Sequence, residues 1–184
     1  MKLDIKDDNE LPNGITATYA HGVLTIKGPK GEVSKKLFDP QLKVEAKGNA
    51  VTISCKKATK NQKRMVNTFN AHIGNMIKGV QEQYRYVLKI CSGHFPMNVT
   101  MSGEQLIVKN FLGEKNPRTL KLKKGATVKV DGEKITVESC DKELAGKVSS
   151  DIELLTSKRN RDLRVFQDGI YLIEKANKPL GASQ

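Results

Sequence analysis

The chain has 184 residues and a formal net charge of +12, from 32 lysines and arginines against 20 aspartates and glutamates. That excess is larger than solubility requires and points to a polyanionic partner. Membrane insertion is excluded as the role, because the uncharged stretches 65–77 and 90–103 are too short for a bilayer span and contain Asn, His, Gly or Pro. The length accommodates two small cores.

The first ten residues, MKLDIKDDNE, are charged, so no signal peptide is expected and the protein should stay in the cytoplasm. Cys55, Cys91 and Cys140 form an odd set that suits free thiols in a reducing compartment. After this acidic start, alternation over 15–19, a turn at His21-Gly22 and alternation over 23–27 predict a hairpin. Gly28-Pro29-Lys30-Gly31 reads as a tight turn with Lys30 facing water. Leu42, Val44 and Ala46, a turn at Lys47-Gly48-Asn49, and Val51, Ile53 and Cys55 predict a second hairpin. From Lys60 the period changes. Met65, Val66, Phe69, Ile73, Met76, Ile77 and Val80 fall at helical spacing, with Gly79 suited to a C-terminal cap.

Residues 81–83 read as a connection into a strand over 84–90, after which the pattern repeats. Strands at 99–101 and 106–109 flank the turn Ser102-Gly103-Glu104; Leu120 and Leu122 follow a basic loop; Val128 and Val130 turn at Asp131-Gly132 into Ile135 and Val137. A helix then carries Leu144, Val148, Ile152 and Leu155 on one face. AHGVLTIKGPKGE aligns with MSGEQLIVKNFLGE, and KVEAKGNAVTISCKK with VKVDGEKITVESCDK, which makes Cys55 and Cys140 equivalent. The chain is therefore read as an internal duplication. The expected architecture is α+β: two similar domains, each an antiparallel β-sheet packed by one α-helix. The expected boundaries are residues 1–82 and 83–175, with a flexible tail at 176–184. A last strand over 163–173 has no counterpart after the first helix unless 84–90 fills that place.

Charge placement narrows the partner. Residues 56–64 hold five cations and no acid, and 109–124 hold six cations against Glu114 alone; 133–153 hold six acids and three lysines. The second helix is thus a poor groove reader, and loops with the last strand are expected to meet phosphates. The segment SKRNRDLRVFQDGIYLIEK, residues 157–175, places its cations ahead of an apolar strand that would anchor them. Arg159, Arg161 and Arg164 are the leading candidates, since guanidinium groups contact phosphate in bidentate fashion. Lys115 and Arg118 follow, and Lys109, Lys158 and Lys175 complete the set. Tryptophan is absent and no aromatic ribonucleoprotein signature occurs, so backbone charge and RNA shape should dominate over base stacking on a sheet.

Other chemistry is set aside. Cys91-Ser92-Gly93-His94 has the spacing of half a zinc site without a second half, and GPKGE lacks the spacing of a phosphate-binding loop. Asp168-Gly169 reads as a bulge or turn rather than a catalytic group. Neither catalytic residues, nor a cofactor, a metal or a small-molecule substrate is expected.

Five ordered blocks carry a resemblance: GPKGE at 28–32, HIGNMIKGV at 72–80, HFPMNV at 94–99, NFLGEK at 110–115 and RVFQDGIYLIEK at 164–175. Together they resemble the L-six family of large-subunit ribosomal proteins, in its archaeal and eukaryotic branch, whose eukaryotic member is called L-nine. The wording of HFPM and of the last block leans archaeal. The resemblance implies a structural protein with two homologous domains, bound to large-subunit rRNA close to the sarcin-ricin loop, where translational GTPases dock among neighbouring ribosomal proteins. It implies that the C-terminal domain makes the main RNA contacts. The matching blocks reach 110–115 and 164–175, whereas Lys158, Arg159 and Arg161 rest on charge. The Tyr-Lys-Gly-Lys-Gly tail of the bacterial branch is absent, so contacts made through it do not transfer. The alternative is a non-enzymatic protein-interaction module that docks a partner on HFPMNV and nearby apolar surface, with charge tuning association.

Overall fold

The structure is a computed structural model that describes residues 3–48 and 50–180. Two compact units divide the chain, Met1–Gln83 and Tyr84–Gln184. Among the described residues no helix is long and apolar enough to cross a membrane.

The first unit contains β1 (Leu3–Glu10), β2 (Thr16–Ala20), β3 (Val23–Gly28), β4 (Gly31–Lys36), β5 (Lys43–Lys47), β6 (Ala50–Ala58) and α1 (Lys60–Gln81). Its strands form antiparallel sheets in the orders β1-β6-β5 and β2-β3-β4. Helix α1 packs on β1, β3, β4 and β6, burying Val66, Phe69, Ile73, Met76 and Val80. These lie on the stripe expected from their three-and-four spacing. Gly79 is not the cap: the helix runs on to Gln81, and Glu82 donates its N–H to the Lys78 carbonyl at 2.8 Å. Gly28 is needed for a close approach, because a Cβ there would sit 2.8 Å from the Val80 side chain. Lys30 donates its N–H to the Val80 carbonyl at 3.0 Å, so the GPKGE turn is pinned to the end of α1.

The second unit contains β7 (Tyr84–Cys91), β8 (Asn98–Ser102), β9 (Gln105–Lys109), β10 (Arg118–Lys121), β11 (Thr127–Asp131), β12 (Lys134–Ser139), α2 (Lys142–Leu155), β13 (Gly169–Lys175) and β14 (Lys178–Pro179). The sheets run β10-β9-β8 and β11-β12-β7-β13-β14. Helix α2 covers β7, β12 and β13 and contributes Ala145, Val148 and Ile152 to a core with Leu88, Leu106, Phe111, Ile135 and Ile170. The chain is an α+β duplication, with the hairpin β2-β3 answering to β8-β9, β5-β6 to β11-β12, and α1 to α2.

Four further expectations change. The acidic start is a strand, β1, and its place in the repeat is taken by β7, since β1 pairs with β6 as β7 pairs with β12; β7 is therefore no counterpart of the last strand. That last strand begins at Gly169 rather than Leu163, and residues 157–168 are irregular. The cysteines are not equivalent. The hairpin turns place Ala50 against Lys47 and Lys134 against Asp131, so counting outward sets Cys55 opposite Ser139, both buried. All three cysteines are thiols rather than halves of disulfides, Cys91 and Cys140 half-buried. The expected tail continues the sheet, with Lys178 and Pro179 paired to Lys175 and Glu174; of the tail, residues 181–184 lie outside the described residues.

Candidate nucleic-acid interface

In the second unit, three stretches distant in sequence meet at one end of β13: the loop after β7 (92–97), the loop before β10 (110–117) and the irregular segment 157–168. Polar contacts join them, the first on a buried carboxylate.

Asp168 is the first junction. Only 2% exposed, its carboxylate accepts from the backbone N–H of Gly93 at 2.5 Å and of His94 at 2.9 Å, and from the His94 ring Nδ1 at 2.6 Å. Burial pushes this carboxyl up, but the His94 backbone and ring and the Gly93 N–H outweigh burial and hold it down at about 2. The ionised carboxylate only accepts, so His94 Nδ1 carries the proton that it donates. The His94 ring in turn stacks on Phe166, with centroids 5.0 Å apart and planes 29° apart. The Arg161 guanidinium stands 5.0 Å from the Phe166 centroid.

Lys158 is the second junction. Its ammonium donates to the carbonyls of Phe166 and Asp168, each at 2.6 Å, and to the Tyr171 hydroxyl at 2.9 Å. An ammonium has three protons, and here each has an internal acceptor. Arg118 is the third. It grips Glu114 with Nε at 2.8 Å and Nη2 at 2.6 Å, donates from Nη1 to the Leu155 carbonyl at 2.7 Å, and lies 4.3 Å from the Phe111 centroid. Its hydrogen bonds hold the Glu114 carboxyl below the usual range. The same loop is tight: Asn110 and Leu112 have φ of 60° and 50°, and Asn110 Nδ2 donates to the Pro96 carbonyl at 3.0 Å. For leucine this is a costly backbone region, held only because the surroundings over-determine it.

The sequence candidates therefore divide. Arg118 and Lys158 are turned inward as structural clamps. Lys115, Arg159, Arg161 and Arg164 are exposed on the joined loops, and Lys109 is exposed at the end of β9 beside them. The Arg164 side chain is 94% exposed, its Nε 3.9 Å from an Asp162 carboxylate that accepts from the Arg164 backbone N–H at 2.9 Å. Lys175 stands apart from them. It ends β13, six residues beyond Gly169, about 20 Å away at strand rise. The sequence pattern places Arg159 and Arg161 ahead of an anchoring strand and Arg164 within it; all three sit instead on an irregular segment held by Asp168 and Lys158.

Sequence reasoning does not single out Asp168, His94 and Phe166 as site residues. A buried carboxylate serving a loop 74 residues away leaves no local pattern, though both ends of the contact fall in the blocks HFPMNV and RVFQDGIYLIEK.

A duplicated α+β chain with exposed cations gathered on clamped loops defines a strongly basic protein of two similar units. The model of the family described as ribosomal protein L6 matches residues 11–83 and 95–169, one match in each unit. Over 176 residues the chain is 40% identical to the large ribosomal subunit protein uL6 of Methanococcus vannielii, covering 96% of this chain and 97% of that protein. It is 40% identical over 176 residues to uL6 of Methanosarcina mazei, with 96% and 100% covered. Against uL6 of Nanoarchaeum equitans it is 42% identical over 182 residues, with 95% of each covered. The chain belongs to the ribosomal protein L6 family, and it is a structural protein rather than an enzyme.

Proposed function

We propose that this chain binds large-subunit rRNA through the joined loops of its second unit, close to the sarcin-ricin loop and the docking site of translational GTPases. It is a structural constituent of the large ribosomal subunit, in the company of rRNA and neighbouring ribosomal proteins, as its family and its archaeal relatives support. The second unit is the main RNA-binding domain in this reading. The observation that carries it is the display of Lys115, Arg159, Arg161 and Arg164 on loops held together by Asp168, Lys158 and Arg118.

Holding the loops in advance lowers the ordering cost of docking on RNA, while the exposed cations release counterions from phosphates. Arg159, Arg161 and Arg164 provide the guanidinium contacts, with Lys109 and Lys115 as point charges beside them.

Sedimentation of a lysate through salt-containing gradients tests this. Near-stoichiometric recovery in the large subunit, released only at high salt, is expected, together with altered nucleotide protection at the sarcin-ricin loop when Arg161 and Arg164 are both changed to Glu. Recovery in the soluble fraction, or association indifferent to salt, would favour the protein-docking alternative.

A further inference from the structure

The loops that display the cations also display apolar side chains. Phe95 is 48% exposed, Leu163 62% and Val165 57%, and Leu163 and Val165 alternate with Arg161 and Arg164 along the segment. Phosphate contact alone does not require them, and apolar side chains exposed together beside charged ones are characteristic of an interaction surface.

The geometry around them is built. Pro96 accepts from Asn110 Nδ2, which ties the Phe95 loop to the 110–117 loop. Gly113, whose φ of 79° suits glycine, lies beside the Phe95 ring, which a Cβ on it would touch at an ordinary 3.7 Å. Next to Phe95, His94 stays 40% exposed in its side chain while Asp168, 3% exposed in its own, fixes the ring orientation. Phe166 and Arg161 extend the planar arrangement beneath it. The locked His94 ring, Phe166 and the half-exposed Phe95, on joined loops that also carry the exposed Lys115, Arg159 and Arg164, match one chemical object that is flat, apolar on its faces and attached to phosphates.

We propose that the Phe95–His94 surface, backed by Phe166 and Arg161, holds an unstacked nucleobase of the RNA whose phosphates the neighbouring cations neutralise. This rests on the RNA-binding reading above and adds a second mode to it. Stacking on an aromatic face is tolerant of base identity and does not depend on counterion release. The two modes therefore separate by salt dependence.

The experiment measures binding of the full chain to protein-free large-subunit rRNA, and to large subunits stripped of this protein by salt, across a salt series. Three proteins are compared: wild type, Phe95→Leu and Phe95→Tyr. Phe95 is largely exposed, so equal melting temperatures are expected for all three. Phe95→Leu is expected to lose about tenfold in affinity on both RNA and particles, with an unchanged salt slope, and Phe95→Tyr to bind like wild type. Wild-type affinity of Phe95→Leu, or equal losses in Leu and Tyr, would overturn the proposal. A Leu defect confined to the stripped particles would also overturn it, in favour of an apolar side chain of a neighbouring protein. Failure of the underlying RNA reading looks different: the wild type itself would bind rRNA without a salt slope.

Discussion

β1 and β7 hold the same place in the two units, yet one reads LDIKDDNE and the other YRYVLKIC. Register sets them side by side, residue by residue: Asn9 faces Val51 where Leu88 faces Ile135. Within its unit, and among the described residues, β1 pairs only with β6, so it is an edge and carries the charges that discourage stray pairing. β7 has β12 on one side and β13 on the other, and Tyr86, Val87, Leu88 and Ile90 are buried. The second unit differs from the first in the chain beyond its helix. Residues 156–175 supply a strand that turns an edge into an inner position, and the same segment carries the basic loop. One addition brought both the larger sheet and the charged surface.

The largest test exchanges those equivalent residues. Leu88→Asn buries an unpaired amide and removes core volume, and should destabilise the second unit by about 4 kcal/mol in urea unfolding of the full chain. Asn9→Leu, which only strips Asn70 of one hydrogen bond at 2.9 Å, should cost about 1 kcal/mol. Equal effects would refute the edge-versus-centre account.

Next in size is Asp168, a buried carboxylate with no counterpart among the described residues of the first unit. A carboxyl held at about 2, below its ordinary 3.8, contributes stability that is complete above the unfolded-state value and is lost as pH falls through about 2. That contribution is about 2 kcal/mol. Asp168→Asn should remove it at neutral pH and flatten the acid limb of the stability curve, as followed by thermal melts between pH 6 and 2.

Inward and outward cations of the segment should then part company. Arg164→Glu should leave the melting temperature unchanged and make the salt slope of RNA binding shallower by roughly 0.7 to 0.9 for each phosphate that is no longer neutralised. Lys158→Met should do the reverse, lowering the melting temperature with little change in slope, because its protons are committed to Phe166, Asp168 and Tyr171. The smallest effect is expected on β1. Thr52 and Lys6 hold the Asp8 carboxyl below its usual range, yet it is exposed to solvent, so Asp8→Asn should leave the urea midpoint unmoved.

By itself, the sequence determined the hairpins around His21-Gly22 and Asp131-Gly132, both helices, the duplication and, through its ordered blocks, the family. Those features depend on periods of two and of three to four, and on turn residues, all of which act within a few positions of one another. Tertiary structure alone decided which cations are available. Arg118 and Lys158 read like their neighbours in composition, but Arg118 reaches the Leu155 carbonyl at the end of α2, Lys158 meets carbonyls of its own segment where that segment doubles back, and Asp168 reaches back to Gly93 and His94. It also decided that Cys55 answers to Ser139 and that an acidic start is an edge strand. A charged side chain's local sequence leaves its direction open; that is set by the acceptors the fold brings near, from a distant stretch of chain for Arg118 and from a segment that doubles back for Lys158.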